Sequence, residues 1–552
     1  MLFARIFLVL TILLPYILSP QNALAQATVK QYTIYLTDKA DNTYSLSRPH
    51  EFLSQRALDR RQRQGISLDE TDLPVSPKYI NALRKDGYKV IFTSAWKNTA
   101  TVETTDTLFE QKAKKYPFVK STTRVFKRSQ LDHKTIQLTN TAQTARYSQQ
   151  NYGRSYRQIQ IHNGDELHKL GNLGQGMQIA VIDAGFWKVD TLQAFRELRK
   201  RNGILGTYDF VAGNDSVYED ATHGMYVLSV IAGNLPGKLL GTAPEANYYL
   251  LRTENGSSEL IAEEHAWIAA AEWADSAGAD VINSSLGYSL FDDPAMNHTY
   301  ADMNGETTPI SKAASMIAGK GMILVSSAGN SGAGAWRYIT SPADAKDILA
   351  VAAVDSLGKV ARFSSRGPSY DKRVKPDVAA IGVQTIVAGA TDGDVIGSNG
   401  TSTAAPVITG LVACLWQEFP MRTSFEVMDA VRKSAYLYSN PNDSFGYGIP
   451  DFSLARVILK NKTFGSQNYI SQVYPNPFIN SFTVAFFTEK SQLAQLTIVD
   501  AMGREIWRQP LQTVANEMSK ITVKPQVFLP QGVYVVVIHL NDMALTTKLV
   551  RD

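Results

Sequence analysis

The sequence predicts an α/β chain built on a doubly wound parallel sheet, with a small α+β unit before it and a small β-sandwich after it. Three observations carry this. Short apolar runs at 179–182, 248–252, 281–284, 323–326 and 349–354 are interleaved with or followed by helical stretches at 259–277, 309–320, 403–419 and 425–435. That alternation is the mark of parallel strands buried under helices on both faces. Upstream, strands at 32–36, 89–93 and 101–105 mix with helical stretches at 51–64 and 77–86. Downstream, strands at 482–487, 496–499 and 533–538 alternate in polarity and are separated by turn residues.

At 552 residues the chain is too long for one core, and it divides into 1–25, 26–145, 146–462 and 463–552. The first segment has Arg5, an apolar run from Ile6 to Leu18, and Ala23-Leu24-Ala25 as a small-residue cleavage pattern. It reads as a secretory signal peptide, because the run is shorter than the ~20 residues a membrane span needs. The second segment contains two basic pairs, Arg60-Arg61 and Lys127-Arg128, which read as processing sites or as solvated surface. The expected cut falls between Arg128 and Tyr152, in a polar Thr/Gln-rich stretch.

Within the third segment, Gly400-Thr401-Ser402-Thr403-Ala404-Ala405-Pro406 places a serine where a glycine-led turn becomes an apolar helix. The first amides of a helix lack internal partners, so an oxyanion forming beside Ser402 can accept from them. A serine there is equally an N-cap residue, and its partners decide. Asp183 ends the apolar run 178–182, at the strand edge where ligands gather in such sheets. His223 opens a short apolar helix that Gly233 closes. A serine nucleophile needs a base, and the base needs a carboxylate to fix its tautomer; His223 and Asp183 supply both. The loop after 322–327 carries Asn330, whose amide is placed to donate to the same oxyanion.

These blocks, in the order Asp183, His223, Asn330 and Ser402, resemble the signature blocks of the subtilisin-like (subtilase) serine peptidases. Gly241-Thr242-Ala243-Pro244, 278–287 and Phe363-Ser364-Ser365-Arg366-Gly367 extend the resemblance over about residues 150–460. It implies a subtilisin-like sheet, a triad of Asp183, His223 and Ser402, and an oxyanion hole of Asn330 and the Ser402 amide. It also implies that Ser285, Leu286, Gly287, Ala328 and Gly329 offer backbone to an extended protein or peptide substrate. Residues 26–145 are then a propeptide that assists folding and blocks the cleft until removed. Departures are Ala184 where a hydroxyl residue is common, Met225 after His223-Gly224, Thr403 after Ser402, and Val407 after Pro406.

The last segment opens with Tyr474-Pro475-Asn476-Pro477-Phe478, contains a Gly532-Val533-Tyr534 strand start and ends on Lys548-Leu549-Val550-Arg551. It resembles the C-terminal sorting domain of Bacteroidetes type IX secretion cargo. That resemblance implies export through the periplasm to the cell surface or medium, with outer-membrane secretion machinery as a partner.

Lys+Arg 55 against Asp+Glu 51 gives a net +4, too diffuse over this length for a nucleic-acid partner. The single cysteine, Cys414, sits in the apolar helix and reads as a small buried hydrophobe. His-Glu-x-x-His is absent, and Glu263-Glu264-His265 reads as a solvated helix face. No metal ligand set is named and no cofactor is required; no loop has a recognisable calcium spacing, which leaves structural Ca²⁺ open. The expected activity is secreted serine endopeptidase. The alternatives are a catalytically silent surface-binding protein on the same fold, which requires a lost triad member, and an α/β-hydrolase esterase, whose Gly-x-Ser-x-Gly elbow is missing.

Overall fold

The computed structural model describes residues 29–127, 151–219, 221–463, 469–488, 490–500, 502–515, 517–541 and 543–552. The expected signal peptide, and nearly all of the stretch expected to be cut, lie outside the described residues.

The N-terminal unit is an antiparallel sheet of β1 (Lys30–Leu36), β2 (Lys89–Ser94), β3 (Thr99–Thr104) and β4 (Val119–Lys127), in the order β2-β3-β1-β4. Tyr32, Ile34, Leu36, Ala100 and Val102 turn one face onto the helices Pro77–Lys85 and Phe109–Ala113. Helix α1 (Gln55–Arg63) begins at Ser54, whose side chain accepts from the Ala57 N–H. The basic pair Arg60-Arg61 on this helix is buried, at 0% and 2% exposure, which corrects both sequence readings: it is neither solvated surface nor open to a protease.

Seven parallel strands form the central sheet: β5 (Gln178–Asp183), β6 (Ile204–Asp209), β7 (Asn247–Arg252), β8 (Val281–Ser284), β9 (Ile323–Ser327), β10 (Leu349–Val354) and β11 (Val378–Ile381), in the order β11-β10-β9-β8-β5-β7-β6. β5 lies inside the sheet, paired with β8 and β7, and the order reverses beside it. In an open sheet that reversal opens a crevice at the strands' carboxyl ends, where Asp183 stands. Alternate residues of each strand feed two cores. Ile179, Val181, Val281 and Val325 pack with helices α2 (His223–Ala232) and α4 (Thr401–Glu418). Ala180, Ile182, Ile282 and Leu324 pack with α3 (Ile261–Ala277) and the helix Pro309–Met316. Cys414 is buried in the first core, as expected, and burial pushes its thiol far up.

The N-terminal unit lies on α3. Glu263-Glu264-His265 is buried, Glu264 against His298 of the peptidase part itself, a correction to the solvated-face reading. Glu263 accepts from the N–H groups of Asn255 and Leu260 at 2.8 and 2.7 Å, capping its own helix, and Glu264 is bonded to His298 at 2.6 Å.

The C-terminal unit packs two antiparallel sheets around Phe482, Leu496, Val536 and Leu549. One holds β12 (Tyr469–Tyr474), β13 (Phe482–Thr488) and β16 (Glu517–Val523) in the order β12-β13-β16. The other holds β14 (Leu493–Val499), β15 (Glu505–Gln512), β17 (Gly532–His539) and β18 (Ala544–Arg551) in the order β15-β14-β17-β18.

Candidate active site

Two helix starts and one strand end meet at the carboxyl edge of the sheet. Asp183 closes β5, and its Oδ1 accepts from His223 Nδ1 and from the Ala184 N–H, each at 2.7 Å. Because a carboxylate only accepts, the proton sits on Nδ1 and leaves Nε2 as the free base. Burial works against a charged imidazole most strongly. The Asp183 carboxylate, by charge and hydrogen bond, and Glu254 by charge outweigh it and hold the His223 pKa above its ordinary value. The ring remains accessible, with its side chain 38% exposed. The bond depends on Gly224: a Cβ there stands 2.4 Å from the Gly185 carbonyl oxygen and 3.0 Å from Asp183 Cβ.

Asp183 Oδ2 is buried and makes no hydrogen bond among the described residues. The missing hydroxyl at Ala184 thus coincides with an orphaned carboxylate oxygen.

Ser402 is the second residue of α4 and is 7% exposed. Its carbonyl faces the position four residues on, which is Pro406, a residue with no N–H to donate. Ser285 Oγ takes that carbonyl instead, at 2.8 Å. Ser285 is itself held by Asn283 Nδ2 at 3.1 Å, and Asn283 Oδ1 accepts from Thr409 Oγ1 at 2.8 Å. The serine is therefore tied to the end of β8.

Asn330 Oδ1 accepts from the Thr401 N–H at 2.9 Å and from Thr401 Oγ1 at 3.0 Å. That fixes the amide and turns its Nδ2 donor away from Thr401. A Cβ on Gly400 would stand 2.7 Å from Ser402 Oγ and 3.8 Å from Asn330 Nδ2, so hydroxyl and amide border the same small volume. Among the described residues no hydrogen bond joins Ser402 Oγ to His223. The structure brings together Asp183 with His223, and Asn330 with Ser402, and sets the two pairs on the N-termini of packed helices.

A model of the subtilase family matches residues 174–448. Subtilisin of Bacillus pumilus is 32% identical over 290 residues, which cover 51% of this chain and 90% of that protein. The chain belongs to the subtilase family. Subtilisin E of Bacillus subtilis (strain 168) is 32% identical over 289 residues, 51% of this subtilase and 65% of its own length. The thermostable alkaline protease of Halalkalibacterium halodurans is 28% identical over 294 residues, 53% of this chain and 70% of its own. This subtilase thus spans about two thirds of the length of those two relatives. A model of the Bacteroidota peptidase S8 propeptide domain matches residues 31–145, and one of the secretion system C-terminal sorting domain matches residues 472–552. The subtilase accordingly carries its own propeptide and a sorting domain, and is a secreted or cell-surface protein.

The five residues expected to bind substrate divide. Gly287 is exposed, and its backbone makes no hydrogen bond among the described residues. Leu286 is buried, and its carbonyl accepts from Ser327 Oγ at 3.4 Å. Ser285 spends its hydroxyl on Ser402. Ala328 and Gly329 differ from Gly287 in having their backbone engaged. The Ala328 N–H and carbonyl bond Val351 and Thr340, and those of Gly329 bond Thr401 Oγ1 and the Ser365 N–H. Their N–H groups are spent holding the Asn330 loop, which leaves a peptide only the second lone pair of each carbonyl.

Sequence reasoning missed Glu254. It lies two residues beyond β7, accepts a hydrogen bond from the Tyr288 hydroxyl, and acts electrostatically on both Asp183 and His223. Carboxylate oxygens of Glu254, Glu259 and Glu263 lie within 4.8 Å of one another. Burial foremost, then the charge of Asp183, pushes Glu254 up to about 7; burial and then the neighbouring carboxylates push Glu259 up to about 8 and lift Glu263 well above the usual range. The spacing Glu-x4-Glu-x3-Glu at 254–263 was the available signal, but a chain fold at 255–260 is needed to bring the three together.

Proposed function

We propose that this subtilase is an endopeptidase in which Ser402 attacks the peptide carbonyl, His223 moves the proton and Asp183 orients His223. The observation that carries this is the 2.7 Å bond from His223 Nδ1 to Asp183 Oδ1, which leaves Nε2 as the base on a side chain that is itself partly exposed. A turn of the Ser402 side chain toward Nε2 completes the proton path; such catalytic bonds often tighten only when substrate is bound. As Oγ forms its bond to the carbonyl carbon, Nε2 takes the hydroxyl proton, and it returns that proton to the leaving amine. The oxyanion accepts from Asn330 Nδ2 and from the Ser402 amide at the start of α4. Gly287 offers its free backbone to an extended segment of substrate. The sorting domain hands the protein to the secretion machinery.

The test is a fluorophosphonate probe and unfolded casein, applied to the secreted, processed protein and to Ser402→Ala. Labelling and cleavage are expected to vanish together in the variant, with kcat down by about 10⁶-fold, the loss known for the nucleophile of subtilisin. Near wild-type turnover in Ser402→Ala sinks the assignment. A folded, processed wild type that neither labels nor cleaves favours the silent binding protein.

A further inference from the structure

We propose that Thr340 closes the slot that receives the substrate side chain on the acyl side of the cut bond, so that this subtilase cleaves after small residues, alanine and serine, and turns away leucine, tyrosine and phenylalanine. The proposal rests on the catalytic reading above and goes beyond it in naming the substrate class.

Strands β8 and β9 run paired from Val281 with Ile323 to Ser284 with Ser326. One long link follows, from Ser327 Oγ to the Leu286 carbonyl at 3.4 Å. Beyond it no hydrogen bond joins the two segments among the described residues, and Thr340 occupies the gap between Gly287 and Gly329. A Cβ on Gly287 would overlap Thr340 Oγ1, and one on Gly329 would stand 2.9 Å from the same oxygen and 2.8 Å from Ser365 Oγ. Both walls thus press bare Cα atoms against one side chain, and neither takes a side chain of its own without evicting it.

This floor is pinned from both walls. The Thr340 N–H donates to the Ala328 carbonyl at 3.3 Å, and Ser341 exchanges two backbone hydrogen bonds with Tyr288, at 2.8 and 3.1 Å. Thr340 is 4% exposed, and its Oγ1 is buried with no hydrogen-bond partner among the described residues. Buried hydroxyls are ordinarily bonded, and this one holds nothing in place by hydrogen bonding. What Thr340 contributes to the slot is bulk.

The slot belongs to the reacting residue by its position. Ser285, two residues before Gly287 in one wall, holds the Ser402 carbonyl, and Asn330, next after Gly329 in the other, holds Thr401. Nucleophile and oxyanion donor are therefore tied to the two walls. A peptide with its carbonyl carbon at Ser402 Oγ and its chain along Gly287 carries the side chain of that residue one bond from the carbonyl, over the gap. The floor stands against the Gly287 Cα, so a methyl or hydroxymethyl group fits above it and a ring or isobutyl group does not.

The experiment measures kcat/KM of the secreted, processed protein on peptide p-nitroanilides that differ only in the residue before the cut bond: alanine, serine, leucine or phenylalanine. Alanine and serine are expected to exceed phenylalanine by about 10-fold or more, the scale on which pocket size discriminates. Thr340→Gly, or Thr340→Ala should the first fail to fold, is expected to shift the phenylalanine-to-alanine ratio upward by about 10-fold or more. A merely structural role would lower all the rates together and leave that ratio where it was. Thr340→Val keeps the bulk, removes the hydroxyl and is expected to keep the wild-type ratio. A fluorophosphonate probe applied beforehand separates the two readings. A processed wild type that does not label overturns the catalytic reading and this proposal with it. One that labels yet cleaves after leucine or phenylalanine as fast as after alanine overturns this proposal alone, as does an unchanged ratio in the glycine and alanine variants or a shifted one in Thr340→Val.

Discussion

Removing the Asn330 side chain separates two jobs that one amide performs. Its Oδ1 holds Thr401 through the N–H and the hydroxyl, and its Nδ2 faces the volume beside Ser402 Oγ. Asn330→Ala loses both. The two Thr401 bonds are neutral and partly buried, about 1 kcal/mol each, so a stability loss of about 2 kcal/mol is expected. The lost oxyanion donor should lower kcat by about 10²- to 10³-fold, or about 2.7–4 kcal/mol of barrier, the loss found for the equivalent donor in subtilisin. Asn330→Asp keeps an acceptor for Thr401 and replaces the donor by a negative oxygen. It should retain most of the stability and lose at least as much kcat. The assay is steady-state hydrolysis of a chromogenic peptide by both variants beside thermal unfolding. Because the donor acts on the oxyanion and not on the bound carbonyl, the loss belongs in kcat with KM little changed. A kcat within five-fold of wild type in Asn330→Ala, or a loss confined to KM, refutes the oxyanion reading.

Three further outcomes follow from the site. His223 is a base only when neutral, and its pKa is raised above its ordinary value, so kcat/KM should fall with decreasing pH through a midpoint above ~6.5. Glu254, pushed up to about 7, carries part of a negative charge in this range, and Glu254→Gln removes it and should move that midpoint down slightly; a midpoint that rises on a pH–rate profile counts against Glu254. Gly224→Ala drives a methyl group against the Gly185 carbonyl and Asp183. The displaced imidazole should cost about 10²-fold in kcat, and kinetics near wild type would mean the two loops give way without disturbing the pair.

Asp183, His223 and Ser402 were legible because each sits in a local frame that the chain announces: the end of an apolar strand, the first residue of an apolar helix, a glycine-led turn. Asn330 was legible for the same reason. What stayed hidden depends on partners far away in sequence. Arg60-Arg61 looks like any basic pair until Asp275, more than two hundred positions on, closes over it. Glu263-Glu264-His265 reads as solvated because nothing local shows His298 closing on Glu264 or another unit lying on α3. Strand β4 was missed because Lys120-Ser121-Thr122-Thr123-Arg124 is polar throughout and pairs on one side only, with β1. The backbone commitments of Ala328 and Gly329 are likewise invisible in sequence, since they follow from Thr340, Val351 and Ser365 arriving from elsewhere.

Pro406 has a consequence for how this protein tolerates change. An ordinary helix locks the carbonyl of its second residue to its sixth, so any bend or slide of the rod carries that residue along. Here the rung is missing, and Ser402 is moored to Ser285 at the mouth of β8. The reference frame of the nucleophile is the end of the sheet together with one turn of α4 at Thr409, which holds Asn283 and through it Ser285, while the helix beyond Thr409 fills the space between the strands and α2. Substitutions from Leu411 to Trp416 should therefore reach folding before they reach turnover, and a change at Ser285 should do the reverse. The distal turns of the helix that carries the serine are thus less bound to its position than a strand end more than a hundred residues earlier in the chain.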